Sequence, residues 1–145
     1  MSRNRFWLGI LLGSLTLASS LQASPQQNNT TPPSANVKGT WSGTFLSQYQ
    51  NVEPFTVTVV IEPDAKGKLM GSAQINSDCL RSTTLHVTVD GSNISLAGSD
   101  EAGATVTFYG TIDRTGTMLD LRYVVNGSHS GRCESDDGTG NMGRR

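Results

Sequence analysis

Cysteine, tryptophan and long apolar runs are scarce in this chain of 145 residues, and each scarcity excludes a class of protein. The two cysteines form no Cys-x-x-Cys, and neither His86 nor His129 stands at zinc-ligand spacing from them, so redox and metal-finger chemistry have no support. Gly-x-Ser-x-Gly, His-Glu-x-x-His and a glycine-rich phosphate loop opening a helix are all missing, which removes the common hydrolase, metalloprotease and nucleotide-binding signatures. Charged residues make up 16% of the chain, with no long block of one sign, and no amphipathic helical period follows residue 38. The expectation is a non-enzymatic protein without a cofactor.

The N-terminus reads as a targeting segment. Arg3 and Arg5 precede an apolar run from Phe6 to Leu17, and a small-residue tract ending at Ala23 follows. That run falls short of the roughly 20 residues a spanning helix requires. Residues 1–23 are therefore expected to be a cleaved signal peptide, which makes the chain secreted or periplasmic with no membrane span in its mature form. No cysteine lies near the cleavage region to carry a lipid. Cleavage removes two arginines, taking the balance from 11 basic against 12 acidic residues, −1, to 9 against 12, −3. A mildly acidic surface does not suit nucleic acid. Residues 24–37 carry no charge and almost no apolar bulk, the composition of a disordered polar linker.

In a secreted chain Cys79 and Cys133 read as one disulfide. It would close a span of 54 residues, stabilising by roughly 4 kcal/mol in chain-entropy terms.

From Gly39 onward the apolar pattern has period two, broken at short intervals by turn residues, so residues 38–145 are expected to form an all-β domain. Trp41, Gly43 and Phe45 share one face of the first strand; Phe55, Val57, Val59 and Ile61 share one of the second. Later inward rows are Leu69 to Ile75, Leu85 to Val89, Ile94 with Leu96, Val106 to Ile112, and Leu119 to Tyr123. Pro63 to Gly67, Ser99 to Gly103 and Asp113 to Gly116 read as turns. Asp90-Gly91 and Asn126-Gly127 are hairpin signals, since a type I′ turn needs positive φ at both central residues. The second would return the chain through Ser130 to Cys133, and Asp136-Asp137-Gly138 reads as a last turn before one more short strand over 139–144. About eight strands in simple succession predict a small antiparallel up-and-down β-barrel with one disulfide, with a β-sandwich as the alternative.

Candidate chemistry is sparse. His86, between Thr84 and Thr88, fits the polar face of a half-exposed strand. Glu134, Asp136 and Asp137 hold oxygens that suit calcium, at a spacing matching no calcium loop. Asn28, Asn29, Asn93 and Asn126 stand in N-glycosylation sequons. Thr58, Thr88 and Thr107 sit opposite apolar rows, where aligned hydroxyls would suit an ordered glycan or ice surface and β-propensity explains them equally.

Gly39-Thr40-Trp41 on the first strand, with Gly67-Lys68-Leu69-Met70-Gly71 later, resembles the opening hairpins of the calycin group, the lipocalins and avidins. The resemblance implies a barrel with a small apolar ligand inside. Two departures argue against biotin: Ala73 stands where avidins carry a tyrosine, and no tryptophan follows Trp41. The bridged-barrel layout is also similar to small periplasmic protease inhibitors. The expected role is a binding module for a small apolar ligand or a secreted partner, with Trp41, Phe55, Phe108 and Tyr123 as ligand-binding candidates. A core packed without a cavity is the competing outcome. The alternative role is a protein–protein or inhibitor function of the outer surface or N-terminal leader.

Overall fold

The period-two pattern becomes eight antiparallel strands: β1 Gly39–Ser47, β2 Phe55–Pro63, β3 Leu69–Asn76, β4 Thr83–Asp90, β5 Asn93–Ser99, β6 Thr105–Ile112, β7 Met118–Asn126 and β8 Asp136–Arg144. This is a computed structural model, and it describes residues 35–77, 82–101, 103–127 and 135–145. Each strand pairs with the next and β8 pairs with β1, closing the barrel in sequence order. No helix occurs among the described residues, and closure rules out the sandwich. Closure gives every strand a paired neighbour on both sides.

The strands form where they do because β-branched and aromatic residues fall at alternate positions and fill one interior. Val57, Val59 and Ile61 from β2, Leu85 from β4, Leu96 from β5 and Leu119 and Leu121 from β7 are all buried. Three of the turns use one device. Asp64, Asp100 and Asp113 each accept at the backbone carbonyl from a glycine three residues on, Gly67, Gly103 and Gly116, all at positive φ. Each aspartate also accepts, at Oδ1, backbone N–H bonds from the far side of its turn: Lys66 and Lys68, Ala104, and Thr117 with Met118.

Several expectations are corrected. Residues 35–37, read as the end of the disordered linker, belong to the packed structure: Val37 is buried, Ala35 packs on the core, and the Ala35 N–H donates to the Gly91 carbonyl. Asp90 pairs with Asn93, so the tight turn is Gly91-Ser92, one residue later than expected. Asn126-Gly127 makes no two-residue hairpin. Val125 already faces Asp136, and Asn126 is held by Thr105 of β6. Asp136, Asp137 and Gly138 are not a turn but the opening of β8, paired with Val125, Val124 and Tyr123. The return through Ser130, the Cys79–Cys133 bridge, His129, Asn28, Asn29, residues 1–34 and Glu134 lie outside the described residues.

Candidate functional site

The two ends of the barrel differ. At the lower end, where β1 starts and β8 finishes, the chain from Ala35 crosses toward Gly91, and Trp41 sits fully buried above it. The indole Nε1 donates to the Val37 carbonyl at 2.8 Å, so this buried donor is satisfied by the segment that enters β1. The Arg144 guanidinium lies 4.6 Å from the indole centroid and donates to three carbonyls, those of Gly116, Lys38 and Asn36. One side chain from the last strand thus ties together the entry segment, the β6–β7 turn and the tryptophan.

At the upper end, where the odd-numbered strands finish, four rings fill the interior. Phe45 faces Phe55 across the β1–β2 ladder, and Phe108 faces Tyr123 across β6–β7. The two pairs then meet across the barrel. Phe45 lies 5.0 Å from Phe108, and Phe55 meets Tyr123 edge-on at 5.0 Å. Such pairs contribute about 0.5–1.5 kcal/mol each beyond simple burial.

Room for these rings comes from β8. The glycines at 138 and 140 face inward, and a methyl group at 140 would stand 2.5 Å from the Phe45 ring, one at 138 2.8 Å from the Tyr123 ring. Two neighbouring strands therefore supply the side chains that β8 lacks.

The cluster ends on a polar rim. Tyr123 Oη donates to Asp136 Oδ2 at 2.6 Å, and Ser47 Oγ donates to Asp136 Oδ1 at 2.6 Å. Burial, reinforced by the hydrogen bond to Asp136, pushes the Tyr123 hydroxyl well above the ordinary phenol range. Tyr123 is thus a neutral donor to the Asp136 carboxylate.

The structure brings three of the four candidate residues together: Phe55, Phe108 and Tyr123 are in one cluster. Trp41 is not part of it, standing four residues before Phe45 along β1, roughly 13 Å at the usual strand rise. Sequence reasoning puts Phe45 on the inward face without singling it out, though alternation marks it; it names Asp136 only as a calcium candidate within an apparent turn, and nothing local marks it as the partner of Tyr123.

The other candidates do not converge. Asp136 points inward and Asp137 outward, as successive strand residues must, so they present no shared calcium site. Thr58 and Thr107 stand on β2 and β6, on opposite sides of an eight-stranded barrel, and cannot touch one flat surface together. His86 is exposed on β4 between Met70 and Ala97.

No known protein family matches the sequence, and no curated protein is similar to it. Among solved structures the chain is similar to EF1p2_mFAP2b bound to DFHBI, with a TM-score of 0.56 and 12% identity over 75% of this chain and 94% of that one. It is more distantly similar to Rv2717c from M. tuberculosis, at a TM-score of 0.44 and 17% identity over 75% and 92% of the two chains. At 12% identity the first likeness is one of fold, a small β-barrel.

Proposed function

We propose that this chain is a non-catalytic binding module, a calycin-like barrel that takes a small apolar ligand through its upper end against Phe45, Phe55, Phe108 and Tyr123. The observation that carries it is the ring cluster ending on the Tyr123–Asp136 pair: an apolar interior with one fixed donor–acceptor rim, the usual make-up of a small-molecule site. An eight-stranded barrel is wide enough either to fill itself with side chains or to hold one small ligand. Here the rings occupy the space, so binding proceeds by their moving apart. The fold's occurrence in EF1p2_mFAP2b, which is bound to DFHBI, supports this reading.

Its non-catalytic part rests on the rim. The Ser47 hydroxyl donates to the Asp136 carboxylate, and among the described residues no imidazole stands beside it to draw off its proton, His86 projecting outward from β4. The proposal takes the chain to be secreted or periplasmic on the strength of residues 1–23.

The test is a thermal-shift and calorimetric titration with fatty acids, retinoids and haem. A true ligand raises the melting temperature of the wild type and fails to do so for Phe108→Ala. A panel that leaves the wild type unmoved ends the proposal.

A second reading, partner binding by the outer surface, is favoured by three apolar side chains gathered at the end of β1 and its following loop. Leu46, Tyr49 and Val52 are 57%, 51% and 43% exposed. Replacing all three with serine would abolish capture of a partner from the native secretome while leaving ligand-induced stabilisation intact.

A further inference from the structure

A depression of about 330 Å³ lies on the outer wall near the upper end, over β6, β7, β8 and β1. Its base is one cross-strand row: Tyr109 faces Arg122, Arg122 faces Thr139, and Thr139 faces Leu46. Tyr109 and Leu46, at the two ends of the row, are large and exposed. The depression also holds two opposite charges, Arg122 and Asp137, that form no ion pair with each other. Arg122 has no hydrogen-bond or ion-pair partner among the described residues, and Asp137, on the adjoining strand, has no ion-pair partner there. The Asp137 carboxylate is steadied by a hydrogen bond from the Gln48 side chain.

We propose that this depression binds a zwitterionic small molecule with an apolar body, the chemistry of a free α-amino acid carrying an aromatic or branched side chain. Charge complementarity selects it. The Arg122 fork matches a carboxylate in a bidentate pair, and Asp137 accepts from an ammonium group. A singly charged ligand would satisfy one of these groups and leave the other facing it with like charge. Tyr109 and Leu46 offer apolar cover for the side chain. Size points the same way, because the volume is at the lower end of the roughly 300–1,000 Å³ of ligand sites and suits one amino acid better than a peptide. The depression borders the rim at Ser47, Tyr123 and Gly138, but the groups that select its ligand, Arg122, Asp137, Tyr109 and Leu46, stand on the outer face, and the proposal does not rest on a ligand inside the barrel.

The experiment titrates L-phenylalanine, N-acetylphenylalanine and phenylalanine amide into the folded chain, following backbone amide resonances. The expected result is saturable shifts at Leu46, Arg122 and Thr139 with phenylalanine, and binding at least tenfold weaker for each derivative. Arg122→Gln and Asp137→Asn, shown to melt with the wild type, each weaken phenylalanine binding by a similar factor. If Asp137→Asn does not fold, Arg122→Gln alone decides. The proposal is overturned if no saturable shift occurs, if the derivatives bind as well as phenylalanine, or if Arg122→Gln has no effect. Shifts confined to Phe45, Phe55 and Phe108 would also overturn it, while supporting a ligand inside the barrel.

Discussion

The guanidinium of Arg144, on the last strand, lies over the indole of Trp41, on the first, 4.6 Å from its centroid. The contact closes the lower end of the barrel, because the same arginine holds the carbonyls of Asn36, Lys38 and Gly116. The chain's two described ends are thereby fastened to each other through a buried ring.

Replacing Arg144 with alanine removes a cation–π contact and a charged donor shared among three carbonyls, and is expected to destabilise the fold by about 2–4 kcal/mol. Lysine should recover little of this, since a single ammonium cannot reproduce the planar fork. Urea unfolding of the three proteins measures both effects. Equal stability of the lysine variant and the wild type would show that charge, not geometry, does the fastening.

Gly140 and Gly143 are both on β8 and should respond unequally to alanine. At 140 the new methyl meets the Phe45 ring and the Thr44 carbonyl at 2.5 Å, and neither can withdraw without disturbing the β1–β8 ladder. A loss of about 1–3 kcal/mol follows from overpacking. At 143 the nearest group is the flexible Met118 sulfur at 3.7 Å, so the change should stay within about 0.5 kcal/mol of neutral. Chemical denaturation of the pair is the check.

Tyr123 links stability to alkaline pH. Its hydroxyl is raised above the ordinary value of 10.0 by burial and then by Asp136, so folding favours the protonated form. The stabilisation is complete below pH 10 and is lost as pH rises toward the folded-state value. Melting temperature should therefore fall more steeply above pH 10 in the wild type than in Tyr123→Phe. At neutral pH the variant should be less stable by about 1–3 kcal/mol, the usual cost of leaving a partly buried acceptor without its donor. Parallel alkaline profiles would remove Tyr123 as the titrating group.

Asp113 acts at the acid side. The Thr115 hydroxyl, then the Met118 and Thr117 N–H groups, hold its carboxyl well below the ordinary 3.8. A depressed carboxylate stabilises above its unfolded value, and that contribution is lost as pH falls through the folded one. Asp113→Asn should melt below the wild type at pH 6, with the gap starting to shrink past pH 3.8 and closing only in strong acid. A gap independent of pH would assign the difference to turn geometry instead of charge.

How much of this was legible follows from how each strand builds its inner row. β2 could be read directly, because Phe55, Val57, Val59 and Ile61 are all its own and all buried. β8 could not. Its inward positions are Asp136, Gly138, Gly140 and Met142, a row that alternation does not reveal and that turn chemistry imitates. What completes it are the rings of Phe45 and Tyr123, from strands on either side. For the same reason the rim at Asp136 was invisible, since its partners, Ser47 and Tyr123, are 89 and 13 residues away. The aspartate turns lie between these cases. Each was visible singly, and their shared geometry appears only in the hydrogen bonds.

The sequence by itself determined that this is an all-β chain of about eight sequential strands, which side of most strands is apolar, and that Trp41 and Phe45 share one face of the first. Those are local properties, set by side-chain period and by the dihedral demands of glycine and aspartate turns. Only the tertiary structure decided that the sheet closes through β8 onto β1, that Arg144 covers Trp41, and that four rings end on one carboxylate. Each of these joins residues far apart in the chain through space that one strand leaves empty and another fills, and no local pattern records such an exchange.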